Sequence, residues 1–274
     1  MTKKFFFLAG MQRSGATVLS AILNQNPEIY TSPASPLWEM MMLTRQSYDS
    51  WTNFDVDRSD AITNCMQTIP HAFYADKPAK YIIDKNLNWA GPNGVNLIAN
   101  YINPNIKIIC CVRNVLDVLV SFDSVINSSS ESKNNRIDEL VLQETLDDEP
   151  MADRRANWLM RHTQDNPIAL EFLKAAKNPE YRHIFHFVDY DDLTLNPKEE
   201  IKKIYNYLEI SEFNHSFNNI EQPEEYSLNP MGNVRIENLH TIRPTLKKES
   251  RKPEDVFQPQ TIARYSNLEF WKHL

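Results

Sequence analysis

The sequence predicts an α/β fold built on a mostly parallel central sheet flanked by helices, and three observations point there. Apolar runs of strand length alternate with segments of helical periodicity, the first run passes at once into a glycine-bracketed turn, and no internal repeat or clean linker divides the chain. Such a sheet takes its ligand beyond the carboxyl ends of its strands. Residues 1–274 are expected to form a single domain with insertions, long enough to bury a core without staples.

Phe5 to Ala9 is a continuous apolar run, as a strand covered on both faces requires. Gly10 and Gly15 follow, then Val18, Leu19, Ile22 and Leu23 at helical spacing, which reads as strand, tight loop and helix. Asn24-Gln25-Asn26-Pro27 stops that helix, Ile29-Tyr30-Thr31 supplies a short second strand, and Ser35-Pro36 precedes a helix from Leu37 to about Arg45. A third strand is expected at Tyr81 to Ile83, followed by a polar turn from Asp84 to Gly94 and a helix through Leu97, Ile98 and Tyr101. Ile106 to Val112 reads as a buried strand ending at Arg113, Val115 to Ile126 as a helix, and the Ser- and Asn-rich Asn127 to Asn135 as an exposed loop. A long helical pattern from Met151 to Lys177 is divided at Pro167. Ile184 to Val188 is the last strand, and a helix carrying Ile201, Ile204, Tyr205 and Leu208 begins after Asn196-Pro197. From Phe213 the chain is polar and weakly periodic until Phe257 to Leu274.

Charge narrows the function. With a net charge of −7 the chain is not built to bind nucleic acid or an anionic membrane surface, so any anion site must be a local device. The run from Phe5 to Ala9 is too short for a secretory signal and is broken by Gln12 and Arg13, and no stretch approaches a membrane span. The 3 cysteines, Cys65, Cys110 and Cys111, form neither a disulfide framework nor a metal motif, and a reducing, cytoplasmic compartment is expected. No metal site is expected either: His183 and His186 lie three apart in a strand-like run, where side chains alternate, so they cannot share a ligand.

Glycine is scarce, 5 in 274 residues against a usual share of ~7 %, so a pair near the start is informative. Gly10-Met11-Gln12-Arg13-Ser14-Gly15-Ala16-Thr17 keeps the spacing of a P-loop but has Ala16 where that motif has lysine. Backbone N–H groups of such a loop and the following helix start still cradle an anion. What is lost is the amine that reaches the outer phosphates of a nucleoside triphosphate, while Arg13 places a permanent cation in the loop.

The stretch LAGMQRSGATVLSAIL resembles the 5′-phosphosulfate loop of the sulfotransferase family, commonly Pro-Arg/Lys-Ser-Gly-Thr-Thr, with Gln12 and Ala16 departing from it. The resemblance implies a P-loop-NTPase-like sulfotransferase fold and 3′-phosphoadenosine 5′-phosphosulfate (PAPS) as co-substrate, with the bisphosphate PAP as product. Gln12, Arg13, Ser14, Gly15, Ala16 and Thr17 would then bind the donor. The family also holds the donor's 3′-phosphate with an arginine at a strand end and a serine eight residues on. Here IICCVRNVLDVLVSF supplies Arg113 and Ser121, and the planar fork of arginine suits phosphate.

Further similarity in YIIDKNLNW places Lys85 where several sulfotransferases have a catalytic lysine, while FVDYDDLTLNPKEEIKKIYNYL looks architectural. The C-terminal LHTIRPTLKK offers His240, Arg243, Lys247 and Lys248 as a lid over donor or acceptor, or as a solvated basic run.

Sulfuryl transfer by analogy with phosphoryl transfer rests on positioning and charge stabilisation. Arg13 and Lys85 would meet the charge on the transferring and leaving groups, and no Mg²⁺ is demanded. The general base that a hydroxyl acceptor wants is assigned to Glu39, with Asp84 and His240 as alternatives. The acceptor is left as a small-molecule, carbohydrate or peptide group, its pocket expected from Leu37 to Tyr74, Asn127 to Glu149 and the C-terminal tail, with aromatics such as Trp38, Tyr48, Trp51, Phe54 and Tyr74. Two other readings stand beside this one: a degenerate P-loop kinase, and a non-catalytic nucleotide-binding or interaction protein on the same scaffold.

Overall fold

A computed structural model describes residues 3–51, 58–128, 136–144, 148–161, 170–221, 242–246 and 251–274. Five parallel strands, β1 (Lys4–Gly10), β2 (Ile29–Thr31), β3 (Tyr81–Lys85), β4 (Ile108–Val112) and β5 (Phe185–Asp189), form one sheet in the order β2-β3-β1-β4-β5. β1 is central and buried from Phe5 onward, which is why its sequence is apolar without alternation. Its side chains nevertheless part to two cores. Phe5, Phe7 and Ala9 join α2 (Leu37–Trp51), α3 (Ser59–Phe73), α5 (Val115–Ser128), α7 (Met151–Arg161) and α10 (Pro259–Tyr265). Phe6 and Leu8 join α1 (Ala16–Leu23) and α9 (Pro197–Leu208) on the other face.

The helix that follows β1 therefore covers one face and the helix that follows β4 the other, although β1 and β4 are neighbours. That reversal opens a crevice at their carboxyl ends. The backbones close tightly just below it. Gly10 is paired with Cys111, has φ 126, and a Cβ added there would stand 2.1 Å from the Cys111 carbonyl oxygen. Met11 N–H then donates to the same oxygen at 2.8 Å. Gly10→Ala is expected to cost more than about 3 kcal/mol, since it adds a backbone clash to left-handed strain. Urea unfolding measures this, and a wild-type midpoint would refute the close approach.

Several boundaries differ from expectation. The first helix after β2 runs to Trp51, and α3 follows it with Pro70 in its last turn. Asp84 and Lys85 belong to β3, and the expected polar turn contains a 3-10 turn at Leu87–Ala90 and α4 (Pro92–Leu97), which continues as a π turn at Ile98–Ile102. β4 starts at Ile108, and α5 extends through Asn127 and Ser128, taking two residues from the expected loop, whose remainder, residues 129–135, lies outside the described residues. α6 (Arg136–Glu144) follows. The long pattern from Met151 ends as α7 at Arg161 and resumes as a 3-10 helix, Leu170–Lys177, with Pro167 outside the described residues. β5 starts one residue late because Arg182–Ile184 forms a 3-10 turn. Thus His183 is not in the strand, and His186 stacks on Tyr207 at 4.9 Å. α8 (Tyr190–Leu195) joins β5 to α9.

Candidate functional site

The loop after β1 owes its shape to two left-handed residues, Arg13 at φ 59 and Gly15 at φ 89, after which α1 begins at Ala16. Alternating backbone hands turn successive N–H groups to one side, the geometry of an anion nest at a helix start. Ser14 is buried, and its hydroxyl turns inward, 2.5 Å from the Met11 carbonyl and 3.0 Å from that of Cys111. It braces the loop from within.

Arg113, directly after β4, reaches back to this loop. Its Nη1 donates to the Arg13 carbonyl at 3.2 Å, and its guanidinium lies 4.5 Å from the centre of the Tyr190 ring. Although the residue is only 5 % exposed, its Nε has no hydrogen-bond partner among the described residues. A buried guanidinium with a donor still to satisfy is suited to an anionic ligand. From the other side Arg13 Nε donates to Ser121 Oγ at 3.1 Å, joining residues 108 apart in the chain. Gln12, half-buried, and Ala16 lie on the same loop. The turn after β1 and the Arg113/Ser121 pair thus converge on one crevice.

Lys85 ends β3 beside it. Its N–H donates to Ser32 Oγ at 2.8 Å, and its Nζ donates to Thr17 Oγ1, in the first turn of α1, at 3.0 Å. The ammonium that position 16 lacks is therefore delivered to the loop by the neighbouring strand. Desolvation by burial pulls the Lys85 pKa down to about 8. Burial in turn pushes the Cys111 thiol up to about 12, so that cysteine is no thiolate at neutral pH.

Glu39, in the first turn of α2, is half-buried and faces the segment that follows Lys85. Asn86 Nδ2 donates to both carboxylate oxygens, at 2.9 and 3.1 Å, and Asn88 Nδ2 to one of them at 3.3 Å.

A sequence profile described as the sulfotransferase domain matches residues 3–254. The chain belongs to the sulfotransferase family. Solved structures agree on the fold. One is a sulfotransferase domain from the Synechococcus PCC 7002 olefin synthase, with TM-score 0.53 and 14 % identity, covering 99 % of this chain and 94 % of that one. Another is a sulfotransferase domain from the curacin biosynthetic pathway, with TM-score 0.50 and 18 % identity over 84 % of this chain and 81 % of that one. No curated protein matches by sequence.

Within this sulfotransferase, two expectations need correction. Asp84 is unsuited to act as base: it is fully buried, Trp89 Nε1 donates to one oxygen at 2.5 Å, and the Tyr74 hydroxyl donates to the other. Burial raises its pKa, but both oxygens are engaged away from the crevice. Tyr74, expected among the acceptor aromatics, is 2 % exposed and belongs to that same core cluster; Trp38 and Tyr48 are half-buried, and Trp51's side chain and Phe54 lie outside the described residues.

Arg243 is exposed, next to Ile242, which packs on the α1/α9 core; His240, Lys247 and Lys248 lie outside the described residues. A basic residue beyond the expected C-terminal run reaches the site's own helix: Arg251 Nη1 pairs with Asp123, two residues past Ser121, at 3.1 Å. Asp123 is held from behind by Arg155, which also grips Asp138. Tyr190 was missed altogether. Its ring lies under Arg113 and so close to Gly15 that a Cβ there would stand 2.6 Å from a ring carbon. The only local signal was an aromatic directly after a strand, at the sheet's ligand edge. Among the described residues no cluster of three His, Cys, Asp or Glu is placed to hold a metal ion, and no helix is long and apolar enough to cross a membrane.

Proposed function

We propose that the chain transfers the sulfuryl group of PAPS to a hydroxyl or amine of an acceptor, releasing PAP. The convergence of the Gly10–Thr17 loop with Arg113 and Ser121 carries this reading, because it sets two anion sites on one crevice. The nest and Lys85 take the 5′-phosphosulfate. Arg113, through its unspent Nε, and Ser121 take the 3′-phosphate. Arg13 lies between the two and serves both ends. Tyr190 fixes the Arg113 plane by a cation–π contact.

With a hydroxyl acceptor, its oxygen attacks sulfur, the bond from sulfur to the bridging oxygen of the donor breaks, and the acceptor's proton passes to Glu39. The electron pair leaves on the 5′-phosphate of PAP, where Lys85 and the loop N–H groups meet the growing charge. The acceptor is a small-molecule, carbohydrate or peptide group, and the protein works as a cytoplasmic single-domain enzyme.

Incubation with PAPS labelled in the sulfuryl group and a mixed panel of alcohols, phenols, sugars and peptides tests the reading. Labelled product is expected with the native protein and none with Arg13→Ala. PAP binding without labelled product would mark a pure nucleotide binder, and binding of ATP with Mg²⁺ in place of PAP would revive the kinase.

A further inference from the structure

We propose that Asn86 is a positioning residue for this reaction: its side-chain amide clamps the Glu39 carboxylate at the rim of the crevice and presents it to the acceptor hydroxyl. The proposal rests on Glu39 acting as base. Asn86 follows Lys85 directly, so one short stretch of backbone places both the ammonium and the clamp.

Every polar group of Asn86 is used. Its N–H donates to the Leu8 carbonyl at 3.1 Å, its Oδ1 accepts from Asn88 N–H at 2.9 Å, and its Nδ2 donates to the Ser35 carbonyl at 2.7 Å as well as to Glu39. Two acceptors on the nitrogen and a donor on the oxygen leave the amide one orientation. Asn88 Nδ2 adds a second grip on Glu39 at 3.3 Å. The carboxylate also sits in the first turn of α2, where the helix dipole favours negative charge. Three side-chain donor contacts thus fix where the carboxylate oxygens lie.

As a mere staple the clamp is redundant. The start of α2 is already joined to the end of β3 by Ser35 N–H, which donates to the Lys85 carbonyl at 3.1 Å. Nor does the neighbouring acid need it, because Asp84 is held separately by Tyr74 and Trp89. Buried Asp84 interacts electrostatically with Glu39, while the Lys85 ammonium is turned to Thr17.

The test uses the full chain with ¹³C-labelled glutamate. The Glu39 carboxyl resonance, identified by its loss in Glu39→Gln, is followed against pH in the native protein, Asn86→Asp and Asn86→Ala. In Asn86→Asp a like charge replaces the donor, and the Glu39 midpoint is expected to rise by about one pH unit. In Asn86→Ala kcat is expected to fall roughly 10-fold with the KM for PAPS unchanged, measured with an acceptor found in the labelled-donor assay. An unmoved midpoint in Asn86→Asp, or a change confined to KM and melting temperature, overturns the proposal. Should Glu39→Gln keep native kcat, the base assignment falls and this role with it. Loss of turnover in Glu39→Gln, with Asn86 variants keeping native midpoint and kcat, removes the positioning role alone.

Discussion

Arg113→Ala is expected to weaken PAP binding by about 100-fold, measured by calorimetry. Charge-assisted hydrogen bonds contribute about 1.5–3 kcal/mol each, and every 1.4 kcal/mol is a factor of ten. Two effects combine in this residue. In the proposed reading the guanidinium meets the 3′-phosphate directly, and through Nη1 it also steadies the Arg13 carbonyl in the left-handed bend of the loop. Arg113→Lys should recover little, because an ammonium cannot both hold that carbonyl and turn a second, planar donor to the ligand. Native affinity in Arg113→Ala would remove the second anion site.

Lys85→Met should lower kcat by about 10²–10³-fold, the usual loss when one preorganised charge facing the leaving group is removed. Its pH signature is separate. Burial holds Lys85 at about 8 instead of 10.5, because its ammonium is desolvated. The cation is thus present below about pH 8 and lost above it, so kcat/KM for the donor falls as pH rises through that value. An arriving phosphosulfate favours the charged form, and PAP binding at pH 8 takes up roughly half a proton per site, read from calorimetry in buffers of different ionisation enthalpy. Both the falling limb and the proton uptake should vanish in Lys85→Met. Their persistence would place the titrating cation elsewhere.

Much of the site was legible because its signals are local. The loop could be read from two glycines five apart on a strand-to-helix turn, in a chain with few others. Arg113 could be read as the first polar residue after a buried strand. Some boundaries were less legible. α3 mixes polar and apolar residues and carries Pro70, and the Leu170–Lys177 segment closes as 3-10 turns where a helical pattern was expected. Asp84 looked like a carboxylate beside a catalytic lysine. Strand alternation sends it to the opposite face, where Tyr74 and Trp89 close over it.

The chain alone determined the succession of the five strands, the glycine-bracketed turn after the first of them and the family, because each is written in contiguous residues whose apolar spacing and glycine placement follow from their own chemistry. Only tertiary structure decided which side chains meet. Arg13 finds Ser121 108 residues away, and Asn86 finds Glu39 47 residues away. Tyr190 comes to lie under Arg113 because β5 adds beside β4. Those meetings depend on strand register and on which face each helix covers, and both are settled by packing the whole sheet, which no short stretch of sequence encodes.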